Sequence, residues 1–152
     1  MKVAIGSDHN GFDFKETIKV FVEEAGHEVI DYGCHSCEAV DYPNVSFEVA
    51  DAINKGEVER GILICGTGLG VAIAANKCPG IRAATCHDIY SAERAQKSNN
   101  AQILTMGAQV IGPELGKKIA GAYLESFFDE SRSGKKVQLI TDKEKEQFST
   151  SN

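Results

Sequence analysis

The sequence predicts an α/β fold in which one parallel sheet carries helices on both faces. Two observations point there. Short apolar runs rich in β-branched residues alternate with segments of helical period, with glycine, proline or polar residues between them. The strand runs, above all Gly61-Ile62-Leu63-Ile64-Cys65, are apolar without alternation, as strands covered on both sides must be.

Taken in order, Lys2-Val3-Ala4-Ile5-Gly6 is the first strand. Phe14, Ile18, Phe21, Val22 and Ala25 recur at threes and fours and mark a helix that stops at Gly26. His27 to Tyr32 reads as a second strand, followed by a polar loop from Gly33 to Pro43 and a helix from Val45 to Ile53. The third strand, Gly61 to Cys65, is broken by Gly66-Thr67-Gly68-Leu69-Gly70 before a short helix at Val71 to Asn76. Arg82 to Cys86, Ile89 to Ser98 and Gln102 to Met106 supply strand, helix and strand, and Pro113 opens a helix running to about Phe128. Arg132 to Lys136 reads as a basic, Gly-containing link before a charged helix from Val137 to Phe148, with Ser149 to Asn152 expected to fray.

The 152 residues suit a single domain over 1–152 that buries about two-thirds of its surface without metal or disulfide support. Sixteen Lys and Arg against twenty-two Asp and Glu give a net charge of −6, which argues against nucleic acid as a partner. A small anion stays compatible, because one cluster can be basic in an acidic protein. No run approaches the ~18 apolar residues of a membrane span, so no membrane partner is expected. Five cysteines, an odd number, fit a reducing compartment, and the expected location is cytoplasmic.

Parallel sheets of this kind place sites at the carboxyl ends of their strands. That selects Ser7 to Gly11, Cys65 to Gly70, His87 with Asp88, and Gly107 onward. The loop from Cys65 to Gly70 is a turn whose backbone N–H groups can converge on negative charge and stabilise a thiolate at Cys65. It could cradle a phosphate, hold charge on a reacting oxygen, or simply close a tight turn. It is not a P-loop, since Val71-Ala72 follows Gly70, and Val71 stands where a cysteine phosphatase needs Arg. Asp8 and His9 suit sugar hydroxyls and an anion, although Asp8 could equally cap the next helix; capping is the expected role of Asp88. Cys34-His35-Ser36-Cys37 lacks a second ligand pair, so no metal is expected there, and Cys78 and Cys86 read as core. Arg132, Lys135 and Lys136 form a compact basic group, either solvated or serving as an anion clamp for this or a neighbouring subunit.

Gly6-Ser7-Asp8-His9-Asn10-Gly11-Phe12, Asp41-Tyr42-Pro43, Gly61 to Gly68, Ala74-Ala75-Asn76-Lys77 and Gly80-Ile81-Arg82-Ala83, in that order, closely resemble the ribose-5-phosphate isomerase type B family. That group also takes in galactose-6-phosphate isomerase subunits, and the resemblance spans nearly the whole chain. It implies a doubly wound, Rossmann-like three-layer α/β/α sandwich of five parallel strands, and a homodimer or dimer of dimers with sites built from both subunits. It implies an aldose–ketose isomerase of sugar phosphates that needs no cofactor and no metal. Cys65 resembles the base that moves a proton between C2 and C1 through a cis-enediol(ate), and Thr67 the hydroxyl serving O1 and O2. Gly66, Thr67, Gly68, Leu69 and Gly70 resemble the hole for the enediolate oxygen, with Asp8, Tyr42 and Asn99 at the sugar. His9, Arg132 and Lys136 resemble the phosphate set, some of it reached through the segment from about 129 to 148 of a partner subunit. Lys136 stands where Arg is frequent. Ser98 stands where many members carry a ring-opening His, and Ser has no titration near neutrality. The expected substrate pair is ribose 5-phosphate and ribulose 5-phosphate. Six-carbon sugars are the alternative, either allose 6-phosphate or unphosphorylated rare sugars, because a smaller residue 98 widens the pocket.

Overall fold

Residues 1–149 are described by a computed structural model. Strands β1 (Lys2–Ser7), β2 (Glu28–Asp31), β3 (Arg60–Cys65), β4 (Ala83–Thr85) and β5 (Ile103–Gly107) form one parallel sheet in the order β2-β1-β3-β5-β4. The helices are α1 (Phe12–Glu24), α2 (Tyr42–Asn54), α3 (Leu69–Asn76), α4 (Ile89–Lys97), α5 (Pro113–Leu124) and α6 (Glu130–Ser149). The expected three-layer, doubly wound α/β/α sandwich is the architecture found.

Alternate side chains of a strand face opposite layers. Val3, Ile5, Ile62, Ile64, Leu104 and Met106 pack with Phe14, Ile18, Ala92, Ile119 and Tyr123, so α1, α4 and α5 share one face. Ala4, Leu63, Cys65 and Ile103 point the other way, into Val45, Val49, Val71 and Ala75 of α2 and α3. This explains the unbroken apolar run at β3, all six residues of which are buried. The chain leaves β1 towards β2 and returns on the other side as β3. The order therefore reverses between β1 and β3, and a crevice opens where their carboxyl ends, Ser7 and Cys65, diverge into loops.

Element boundaries shift for identifiable reasons. Helix α2 starts at Tyr42 rather than Val45, because Pro43 fits a first turn whose N–H groups are unpaired anyway. Helix α5 stops at Leu124, short of Phe128, where the buried Arg60 guanidinium takes the carbonyls of Tyr123, Leu124 and Ser126. The largest correction concerns the C-terminal segment. Arg132 to Lys136 is no link, since it lies inside α6, a single helix from Glu130. Gly134 sits within it, and an interior glycine costs a helix only about 1 kcal/mol. Helix α6 crosses the amino edge of the sheet: Asp129 N–H donates to Lys97 O (3.2 Å), and Gly80 N–H donates to Glu144 Oε1 (2.7 Å). Ser149 is its last residue; the expected fraying of 150–152 falls outside the described residues.

One ion pair anchors the loop after β2. Lys15 is fully buried, with Nζ 2.9 Å from each oxygen of Asp31, and it also donates to the Cys34 carbonyl. The loop then follows the end of β1, with Ser7 N–H on Gly33 O (2.6 Å) and Cys34 N–H on Ser7 O (2.7 Å). Burial pushes the Asp31 carboxyl up, but Lys15, the Gly33 N–H and Lys19 outweigh it and hold the carboxyl below its usual range. A lowered carboxylate pKa gives stability that is complete above the unfolded value near 3.9 and is lost as pH falls through the folded one. Lys15→Met strands Asp31 and is expected to lower unfolding free energy by about 3 kcal/mol in urea titrations at pH 7. The deficit should shrink below about pH 4, as Asp31 becomes protonated.

Candidate active site

At the crevice between β1 and β3 lies an open cleft of about 390 Å³, lined by Asp8, Asn10, Tyr42, Cys65, Gly66, Thr67, Gly70 and Gln109. Cys65 ends β3 with its thiol buried on the α2/α3 side, and the chain turns sharply over it. Gly68 N–H donates to Cys65 Sγ at 3.1 Å. Gly68 adopts φ +80°, a conformation suited to glycine, and a Cβ there would stand 2.7 Å from the Met106 carbonyl carbon. Across from it, a Cβ on Gly107 would stand 2.6 Å from the Thr67 carbonyl group. The turn thus lies flat on the end of β5, and Ala108 N–H and Gln109 N–H tie it there through Cys65 O (2.9 Å) and Gly66 O (3.0 Å).

Thr67 accepts Leu69 N–H on Oγ1 (3.2 Å), which leaves its own proton for donation. Leu69 opens α3 with its side chain largely exposed, so its backbone rather than its side chain belongs to the site. The Tyr42 ring packs directly against Gly70 and walls one side of the cleft. Asp8 is buried and lines the cleft, and its Oδ1 accepts Gly11 N–H (3.1 Å), capping the single 3-10 turn that precedes α1. His9 Nδ1 accepts Val40 N–H (3.3 Å), which leaves Nε2 as the ring's donor when neutral. Asp88 caps α4 through Ser91 N–H (2.7 Å); that bond and the Ser91 hydroxyl hold its carboxyl below the usual range.

Ser98, Asn99, Arg132 and Lys136 are not brought to this cleft. Ser98 caps the end of α4, and the neighbouring Asn100 carbonyl accepts Arg82 Nε (2.9 Å) just before β4 begins. Gln102 O meets Gly61 N–H (2.9 Å) at the start of β3. Gly61 and Cys65 are four residues apart along one strand, about 13 Å. Ser98 and Asn99 therefore sit at the amino edge of the sheet and Cys65 at the carboxyl edge. Arg132 and Lys136, both exposed, lie on α6 at the amino edge too. No Lys, Arg or His lines the Cys65 cleft itself.

Asn10 and Gln109 are cleft residues to which the sequence reading gave no role. Both fall inside the windows selected by the strand-end rule, and the Gln109 carboxamide lies against Gly66. The other cysteines separate clearly from Cys65. Burial pushes the Cys86 thiol up to about 11, Cys78 is half-buried and also raised, and Cys34 and Cys37 are unpaired thiols, one buried and one exposed. Among the described residues no His, Cys, Asp and Glu group could hold a metal ion, and no helix is long and apolar enough to cross a membrane. A wider groove, about 800 Å³, lies between the end of α3 and α6, where Leu139 and Ile140 face Asn76 and Lys77; it holds none of the candidate residues.

Known proteins share both the sequence and this geometry. The ribose/galactose isomerase family profile matches residues 3–140. A D-erythrulose-4-phosphate isomerase from Pectobacterium atrosepticum is 50% identical over 92% of this chain and 93% of that protein. A ribose-5-P isomerase B from Listeria innocua is 49% identical over 92% of this chain and 95% of that protein. The solved structure of Clostridium thermocellum ribose-5-phosphate isomerase B superposes with a TM-score of 0.94 at 46% identity, covering 97% of this chain and 99% of that one. The chain therefore belongs to the ribose/galactose isomerase family of sugar-phosphate isomerases.

Proposed function

We propose that the chain interconverts D-ribose 5-phosphate and D-ribulose 5-phosphate by moving one proton between C2 and C1, in the cytoplasm and without metal or cofactor. The observation that carries this reading is the Cys65 thiol held by Gly68 N–H in a cleft lined by no cation. Such a floor suits the uncharged, reacting end of a sugar rather than its phosphate. Cys65 as thiolate removes the C2 proton, the C–H electron pair forms a C1=C2 double bond, and the carbonyl pair moves onto O1 to leave a cis-enediolate. The Thr67 hydroxyl and the turn's N–H groups other than those of Gly68 and Leu69, which are given to Cys65 Sγ and Thr67 Oγ1, hold the oxygen that gains charge. Returning the proton from sulfur to C1, while the O2 proton passes to O1 by way of the Thr67 hydroxyl, yields the ketose. Asp8, Tyr42 and Asn10 face the hydroxyls.

The phosphate must then be met at the rim, by His9 and by cations from elsewhere. Arg132 and Lys136, with Ser98 and Asn99, are too far along the sheet to serve the cleft of their own chain. A second copy supplies them in this reading. Exposed Ile73 on α3 and Leu139 and Ile140 on α6 give that copy an apolar seat.

A second substrate reading is favoured by Ser98. Ribose 5-phosphate closes a furanose through O4 and has to be opened before C2 can react. An aldotetrose phosphorylated on O4 has no hydroxyl there to close a five-membered ring. A four-carbon sugar phosphate, as in the name of the Pectobacterium relative, asks nothing of residue 98.

Cys65→Ala is expected to lower kcat by about 10³-fold with its thermal unfolding little changed. Retention within about tenfold of wild-type turnover would sink the base assignment. Mixing Cys65→Ala with Arg132→Ala, each feeble alone, should regenerate about a quarter of wild-type activity after subunit exchange, because half the dimers then hold one intact site. No recovery despite demonstrated exchange would show that each chain acts alone. Across four-, five- and six-carbon sugar phosphates, Ser98→His should raise kcat/KM for ribose 5-phosphate and leave the open-chain tetrose phosphate unchanged. If wild type turns over the tetrose phosphate far faster than ribose 5-phosphate, the four-carbon reading replaces the first.

A further inference from the structure

Two threonines on the strands behind the cleft have no place in the mechanism so far. Thr105 on β5 is fully buried, and Thr85 is opposite it on β4. Three short contacts join them to the turn: Thr105 Oγ1 to Gly68 O at 2.7 Å, Thr85 Oγ1 to Thr105 Oγ1 at 2.8 Å, and Thr85 Oγ1 to Gly68 O at 3.2 Å. Two hydroxyls carry two protons, so only two of the three contacts are donated at once. The two shortest are satisfied together when Thr85 donates to Thr105 and Thr105 donates to the Gly68 carbonyl. Each bond in such a chain polarises the next.

In a trans peptide the carbonyl and the N–H point in opposite directions. Fixing Gly68 C=O towards the sheet therefore fixes Leu69 N–H outward, and that N–H is the one received by Thr67 Oγ1 at 3.2 Å. With this lone pair engaged, the Thr67 proton is turned away from the backbone and towards the cleft that Thr67 lines. His87 adds a second restraint. Its Nε2 accepts Gly107 N–H at 2.8 Å, steadying the residue on which the Thr67 carbonyl rests.

We propose that Thr105, backed by Thr85, is a positioning residue for catalysis: the chain Thr85–Thr105–Gly68 C=O orients the Gly68–Leu69 peptide and thereby aims the Thr67 hydroxyl at the substrate oxygens. This rests on the reading of Cys65 and Thr67 as the proton-transfer pair. The chain does not touch substrate, so its loss acts on the developing enediolate and not on ground-state binding. Thr105→Val, which keeps the shape and deletes the hydroxyl, should lower kcat about tenfold with KM within about twofold of wild type. Thr105→Ser restores the donor and should recover most of that loss, whereas a purely packing role would favour Val. Thr85→Val, at a half-buried position, should give a smaller loss of the same kind without risk to the core.

A second readout needs no substrate. Hydrogen exchange at the Leu69 amide, followed by NMR in unliganded protein, should quicken about tenfold in Thr105→Val and stay near wild type in Thr105→Ser. Unchanged exchange overturns the proposal, and so does quickened exchange with kcat intact. If wild type proves inert towards every sugar phosphate, the isomerase reading falls by itself. The Leu69 exchange then still decides whether the threonine chain orients this peptide.

Discussion

The site depends on how closely the turn after β3 can lie on the end of β5. Two glycines meet back to back there. Gly68 has no Cβ to strike the Met106 carbonyl, and Gly107 has none to strike the carbonyl of Thr67. Because the backbones touch, the Cys65 and Gly66 carbonyls reach the N–H groups of Ala108 and Gln109, and the Gly68 carbonyl reaches the threonine hydroxyls. The left-handed Gly68 then brings its N–H back onto the sulfur of Cys65. A side chain at either position would lift the turn and separate the Cys65 thiol from the Gly68 N–H. The crevice between β1 and β3 gives this turn open space above it.

Charge is distributed along the sheet to match. The carboxyl edge presents hydroxyl, carboxamide and carboxylate groups around the thiol, while Arg132 and Lys136 stand at the amino edge. In a protein of net charge −6, this separation leaves the cleft around Cys65 without a lining cation. The Lys15–Asp31 pair plays a quieter part. By holding the loop after β2 against Ser7, it fixes the segment whose Val40 N–H sets the donor face of His9.

The layers were legible from the sequence because burial on both faces leaves a plain signature in β3, and because glycine and proline punctuate the chain between elements. Asp88 as a cap and Cys86 as a core residue were equally readable, each from its immediate neighbours. The extent of α6 was not. The residues Arg132 to Lys136 contain a glycine and four polar or basic neighbours, and only packing along the amino edge, with Val137 buried and Glu144 bound to Gly80, makes them helical. Gln109 escaped notice because a polar residue two positions past a strand looks like any loop residue until Gly66 is seen beneath it. Thr85 and Thr105 escaped for a related reason: threonine is an ordinary strand residue, and its hydroxyl gains meaning only from the carbonyl it faces.

By itself the sequence determined the fold class and the strand-end turn around Cys65, because these rest on local period and on glycine spacing, while the isomerase family entered through the resemblance of its ordered motifs. Only the tertiary structure decided the strand order, and with it which ends lie together. It joined Asp8, Tyr42, Cys65, Thr67 and Gln109 in one cleft and left Ser98, Asn99, Arg132 and Lys136 at the opposite edge. The reason is geometric. A helix that descends one face carries its last residues a full strand length from its first, so a motif read as one site in sequence order can be divided between two ends of a sheet.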